Sequence, residues 1–529
     1  MTKQTPEQPF DMFIIGGGIN GCGIARDAAG RGLSVALAEK DDLAQATSSA
    51  STKLFHGGLR YLEYFEFRLV REALIERENL LVAMPHISWP MRFVLPYHPD
   101  MRFESETPTS KLLSTVMPWT KGQRPGWLLR LGLFMYDHLG GREILPGTKT
   151  LDLRQAKEGK PLKDKFETAY EYSDCWVEDS RLVVLNARDA ADRGAKIMTR
   201  TKVASATSSN GIWTVTTQDQ LTGETTDFQA KLLINAAGPW VENIIHDVAD
   251  MRTNEGIRLV RGSHIVTKKL FDHDKSYFFQ GEDGRIIFAI PYEEDYTLIG
   301  TTDADHADIS DPPVCTPEEQ EYLCNFASNY FKTPISSDDI IWTYSGVRPL
   351  YDDNASSSTA ATREYVLKLN ESADAPALNI FGGKITTYRR LAESAIAKCA
   401  HFFPHIKEEW TKRVPLPGGD FPHDGRDELI KQLMTSSPFL TEKTARRLIK
   451  AYGTDALKIF ADVASENQAG EHFGHGIYAC ELDWVIEKEW VRTADDYLWR
   501  RTKMGLRTNT TETEKLARYI EARQTGDPA

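Results

Sequence analysis

The sequence predicts an α/β protein in two parts: a nucleotide-binding α/β domain interleaved with a mostly antiparallel β-sheet, and a helical C-terminal domain. Three observations carry this. Phe10 to Ile15 reads as a short buried strand, runs into Gly16-Gly17-Gly18-Ile19-Asn20-Gly21 and continues as an Ala-rich helix to Gly30. A β-type composition of Trp, Val, Ile, Tyr and Thr broken by turn residues recurs at Gly211 to Thr217 and Phe288 to Gly300, as expected of antiparallel strands. After the Pro- and Gly-dense stretch Arg413 to Arg426, strand patterns give way to helical spacing such as Leu482, Val485, Ile486 and Trp490.

The first unit closes with a second strand, Leu33 to Ala38, ending at Glu39, which gives the length that a parallel βαβ crossover needs. Lys231 to Gly238 and Leu378 to Gly383 are further apolar strands running into glycine, so distant segments assemble the sheet. Residues 1–408 are expected to hold the nucleotide-binding domain with the interleaved sheet, and 409–529 the helical domain.

The glycine spacing has a mechanism. Gly16 permits the tight turn, Gly18 lets a pyrophosphate approach the backbone, and Gly21 lets the helix pack on the strand, while the helix N-terminus offers N–H groups to phosphate. Glu39 ends the second strand, where a carboxylate accepts from adenosine ribose hydroxyls. The hydroxyl-rich run Thr47, Ser48, Ser49 and the following His56-Gly57-Gly58-Leu59-Arg60-Tyr61 suit a backbone lying along a second phosphate and a ring edge. This fingerprint fits NAD and FAD equally.

Composition excludes other classes. The 529 residues are 41% hydrophobic and 26% charged, ordinary for globular chains. The net charge of −13 argues against nucleic-acid binding through a broad basic face. The six cysteines (Cys22, Cys175, Cys315, Cys324, Cys399, Cys480) form no CxxC pair, so neither a zinc cage nor a disulfide framework is expected. The polar start and the lack of a long apolar run point to a cytoplasmic protein that does not span a membrane.

The N-terminal run from Ile14 to Val70 resembles the signature of the FAD-dependent sn-glycerol-3-phosphate dehydrogenases, aerobic bacterial enzymes in particular. The resemblance continues at Tyr172 to Val183, Asn235 to Trp240, Arg261 to Val266, Ile299 to Asp303, Trp342 to Leu350, Phe381 to Arg389 and Trp490 to Leu506. It covers nearly the whole chain and selects FAD, held non-covalently, over NAD. It implies a Rossmann-like FAD domain of the glutathione-reductase/D-amino-acid-oxidase type, Gly238 and Gly383 at the cofactor, and oxidation of sn-glycerol 3-phosphate with electrons passing to membrane quinone. Alternatives are an oxidase using oxygen and a non-catalytic FAD-containing redox sensor; a homodimer is left open.

Oxidising a secondary alcohol with a flavin needs a base, most simply a histidine. His264, read as lying on a short polar turn, is the candidate that the resemblance favours. Guanidinium forks suit a phosphate dianion; Arg60 and Arg348, both read as turn residues, are candidates. The resemblance implies a pocket of Arg60, Tyr61, His264, Arg348, Lys384 and Thr387, with Arg348 near the reacting oxygen. Asp303, Asp305, Asp308 and Asp311 lack the glycine and glutamate of a calcium loop, so they read as a solvated turn and no metal is expected. Thr107 to Tyr136 carries Lys111, Lys121, Arg124 and Arg130 but no acid before Tyr136, with Trp127, Leu131, Leu133 and Phe134 crowded around Arg130. That composition suits either a buried core helix capped by basic side chains or a helix lying in the membrane interface, and the quinone acceptor implied by the resemblance favours the inner face of the membrane.

Overall fold

The computed structural model describes residues 8–99, 109, 125–251, 253, 255–281, 285–352, 364–371 and 374–525. Two sheets and a helical domain make up the molecule. In the first sheet the central strand Phe10–Ile15 lies between Val35–Ala38 and Thr225–Asn235, all parallel. Ala377–Phe381 extends the parallel set on one side and Lys196–Met198 on the other. Met12, Phe13 and Ile14 are completely buried, the continuous apolar pattern expected of a strand covered on both faces. The helix Ile19–Gly30 packs between Asp179–Asp192 and Tyr388–Cys399, so elements far apart in the chain share one core around Ile24, Val184 and Leu391.

The strand Ile212–Asp219 corrects one expectation: it belongs to this first sheet, paired antiparallel with Thr225–Asn235 and Thr201–Ser209. Its composition identifies it as β structure, but only long-range pairing decides which sheet it joins. Phe288 to Gly300 does enter the second sheet, as the hairpin Ile286–Tyr292 and Tyr296–Gly300. That sheet is antiparallel except where Ser276–Gln280 runs parallel to Ser88–Tyr97. Its long strands Ile257–Lys268 and Ile340–Tyr351 pair along nearly their whole length.

Beyond residue 409 the described elements are helices, with one isolated β-bridge between His472 and Tyr478. Their core, from Leu429 to Ile520, is separate from that of the first sheet. Ion pairs fasten this domain to the rest: Arg181 to Glu489, Arg188 to Asp455 and Lys450 to Glu178 all bridge the two.

Candidate active site

A cavity of about 890 Å³ opens between the two sheets. One end is the glycine turn. Gly16 has φ +111°, which favours glycine, and a Cβ on Gly21 would lie 1.9 Å from the Gly16 carbonyl oxygen. The helix can therefore begin this close to the strand only without those side chains. A Cβ on Gly18 would meet only the Ser48 hydroxyl, at 3.1 Å, so its bareness serves the cavity rather than the packing. Glu39 accepts from the amides of Gly17 at 2.6 Å and Asp41 at 2.9 Å. Burial lifts its carboxyl above the ordinary value, and those two donors oppose the rise.

Gly16, Gly18, Glu39, Thr47, Ser48, Gly238 and Gly383 line this cavity, as do Arg60, Tyr61, His264, Arg348 and Lys384. Gly21 acts one layer behind, through its contact with Gly16. Ser49 and Thr387 are not among the lining residues. Ser49 donates to the Ala46 carbonyl, and Thr387 is buried at the start of the helix Tyr388–Cys399.

The far end of the cavity holds His264 and Arg348, and here strands replace the expected turns. His264 lies within Ile257–Lys268, paired with Gly300 and Tyr344 on its two neighbours. Arg348 lies within Ile340–Tyr351. A regular strand positions a side chain more rigidly than a loop, and alternation along it decides which residues face the cavity. The His264 ring stacks on Tyr344 at 4.7 Å, and its Nε2 lies 3.0 Å from the Thr52 hydroxyl, while Nδ1 is buried without a partner. Burial, reinforced by the Arg348 and Lys53 cations, holds the His264 pKa well below the ordinary value. The imidazole is therefore unprotonated at neutral pH, with one ring nitrogen able to accept.

Asp303 departs from the solvated-turn reading. It lines the cavity and accepts from Arg348 Nη1, whose Nη2 donates to the Thr301 hydroxyl at 3.1 Å. Asp305 does sit outside, paired with Arg258. Sequence spacing could not separate the two acids, because their partners come from distant strands: Arg348 reaches Asp303 at the cavity and Arg258 reaches Asp305 outside it. Lys384 Nζ rests 4.0 Å over the Tyr61 ring, a cation–π contact that holds the amine at the cavity wall. Arg285, Thr52 and Phe288 line the same space; nothing in their local sequence marks them.

A glycine cradle, a carboxylate at the end of the second strand and an unprotonated histidine among cations are the features of a dinucleotide-dependent oxidoreductase. Family comparison is specific. Residues 11–370 match the model "FAD dependent oxidoreductase", and residues 409–524 match "C-terminal domain of alpha-glycerophosphate oxidase". The chain is 48% identical to D-erythritol 1-phosphate dehydrogenase of Brucella abortus over 511 residues, 97% of each chain. It is 46% identical to aerobic glycerol-3-phosphate dehydrogenase of Escherichia coli over 513 residues, 96% of this chain and 97% of that one. A solved glycerol-3-phosphate dehydrogenase of Bacillus halodurans complexed with FAD superimposes with a TM-score of 0.73 at 26% identity, covering 98% of this chain and 91% of that one. The chain belongs to the glycerol-3-phosphate dehydrogenases among the FAD dependent oxidoreductases. Its cofactor is FAD, and the bare backbone at Gly18, the half-buried Glu39 at the cavity wall and the unpartnered amide oxygen of Asn20 fit that group.

Proposed function

We propose that this enzyme oxidises sn-glycerol 3-phosphate to dihydroxyacetone phosphate and passes the electrons to membrane quinone. The observation that carries the reading is a buried, neutral His264 facing a cavity whose walls also present Arg60, Arg348 and Lys384. Bound FAD supplies the hydride acceptor. The cations attract a phosphate dianion, and the Arg348–Asp303 pair offers a donor and an acceptor to substrate hydroxyls. The Thr52 hydroxyl links His264 Nε2 to the cavity, and Nε2 takes the proton that leaves the substrate hydroxyl. Tyr344, stacked beneath, keeps the ring in that orientation.

The membrane side of the reading rests on the helix Gly126–Leu139. Trp127, Leu131 and Phe134 are 58%, 46% and 57% exposed and recur on one face, and exposed Phe65 and Phe67 follow the neighbouring 3-10 helix Leu59–Tyr64. Contiguous exposed aromatics of this kind mark an interaction site, and Arg130 on the same face suits anionic lipid. Lys111, Lys121 and Arg124 lie outside the described residues. Among the described residues no helix is long and apolar enough to cross a membrane, so an interfacial attachment is the one this helix supports.

Substrate identity has a second reading, because a 48% identical relative is a D-erythritol 1-phosphate dehydrogenase. The yellow holoenzyme should bleach anaerobically with glycerol 3-phosphate and recolour with a short-chain quinone. Bleaching by D-erythritol 1-phosphate alone would transfer the assignment to the four-carbon substrate, and bleaching by neither would refute both.

A further inference from the structure

The C-terminal domain reaches the cofactor cavity without lining it. The loop after the second strand supplies Glu39, Lys40, Asp41, Ala44, Gln45 and Ala46 to the cavity wall, and in its middle Asp42 turns away, only 1% exposed. Its carboxylate is gripped by two consecutive residues from the far end of the chain. Arg501, 0% exposed, donates from Nη1 and Nη2 at 2.8 Å each, and Arg500 Nε donates at 2.6 Å. This is the bidentate fork that fixes a carboxylate in direction as well as distance.

A second tie runs beside it. Asp496, fully buried in the same C-terminal turn, accepts from Arg200 Nη2 at 2.8 and 3.1 Å. The Arg200 amide donates to the Asp41 carbonyl at 2.8 Å, and the Thr201 amide to the Glu39 carbonyl at 2.7 Å. Thr201, Lys202 and Gln220 form the adjoining stretch of cavity wall. Both segments contain a non-glycine residue in the left-handed region, Ala44 at φ 61° and Arg200 at φ 54°. Such conformations persist only where surrounding contacts over-determine them, and the two buried carboxylates supply those contacts.

We infer that the C-terminal domain acts as a clamp on the cofactor site: Arg501 and Arg500 on Asp42, and Asp496 on Arg200, hold the two wall segments in the shape that retains FAD. Asp42, Arg501 and Asp496 are positioning residues that touch neither cofactor nor substrate. Cofactor retention by this clamp does not depend on which polyol phosphate is oxidised.

The test measures FAD release from purified holoenzyme, diluted at 25 °C and followed by the rise of free-flavin fluorescence. Arg501→Met and Asp42→Asn should each raise the release rate at least tenfold, while far-UV circular dichroism shows the helices intact. The double variant should release FAD no faster than the faster single variant, because both changes break one contact, and Arg501→Lys should recover part of the loss. Arg447→Met, which breaks a pair with Glu481 wholly inside the C-terminal domain, should leave release within twofold of wild type. Wild-type release from both Arg501→Met and Asp42→Asn would overturn the clamp, as would equal acceleration by Arg447→Met. Where Arg501→Met does not fold, Asp42→Asn, which keeps the side-chain shape, decides alone.

Discussion

Replacing Arg348 by Met removes a cation from the cavity while nearly keeping the length of the side chain. Arg348 is bonded to Asp303 and to the Thr301 hydroxyl, and its side chain is 33% exposed, so it is reachable by substrate yet shielded from bulk water. A hydrogen bond to a charged group contributes about 1.5–3 kcal/mol. At about 1.4 kcal/mol per factor of ten, kcat/KM with glycerol 3-phosphate should fall roughly 10- to 150-fold. A second consequence follows from the charge. Arg348 helps to depress the His264 pKa, after burial and ahead of Lys53. Without it that pKa should rise, while burial still holds it below the ordinary histidine value of about 6.5. A base works above its pKa, so the acid limb of the pH profile of kcat/KM should move to higher pH. Stopped-flow bleaching across pH 5 to 8 measures both effects, with flavin absorbance confirming that FAD stays bound. Unchanged kcat/KM together with an unmoved acid limb would refute the placement of Arg348 beside the reacting groups.

Gly18→Val should fold but purify without flavin, because its only near neighbour is the movable Ser48 hydroxyl; Gly21→Ala, aimed at the Gly16 carbonyl, should lower stability by about 1–3 kcal/mol in a denaturant titration. Replacing Trp127, Leu131 and Phe134 together by Ser should weaken binding to anionic vesicles about 100-fold, on roughly 1 kcal/mol for each half-buried apolar side chain, and leave turnover with a soluble acceptor intact; unchanged sedimentation with vesicles would place the membrane contact elsewhere. His86 is buried with neither ring nitrogen partnered, and burial, then Arg181, Arg426 and Arg188, hold its pKa well below 6.5. A lowered histidine pKa contributes stability that is present above about 6.5 and lost as the pH falls, because the unfolded chain binds the proton first. His86→Leu should therefore flatten the acid-side decline of stability below pH 6.5 by up to about 1.4 kcal/mol per pH unit, read from denaturant midpoints.

Much of this protein is legible locally. The strand, glycine turn and helix from Phe10 to Gly30 are specified by burial pattern and by backbone positions that exclude a side chain, and both act between near neighbours. The loss of strand patterns beyond residue 409 is equally local. The resemblance carried by the motifs then named the cofactor, which spacing alone left open between NAD and FAD. What the sequence could not show is which side of a sheet a polar residue faces once partners come from far along the chain. His264, on a short polar stretch, and Arg348, in the apolar run Ser345 to Leu350, both read as turn residues, whereas the register between Ile257–Lys268 and Ile340–Tyr351 makes both strand residues of one wall. Asp303 and Asp305 likewise differ through partners far along the chain, Arg348 for the first and Arg258 for the second. Asp42 looks like one more surface acid beside Asp41, until Arg500 and Arg501 arrive from the other end of the chain. Ion pairs leave no periodic trace in a sequence, because their energy depends on distance and burial in space, and those are set only when the tertiary structure closes.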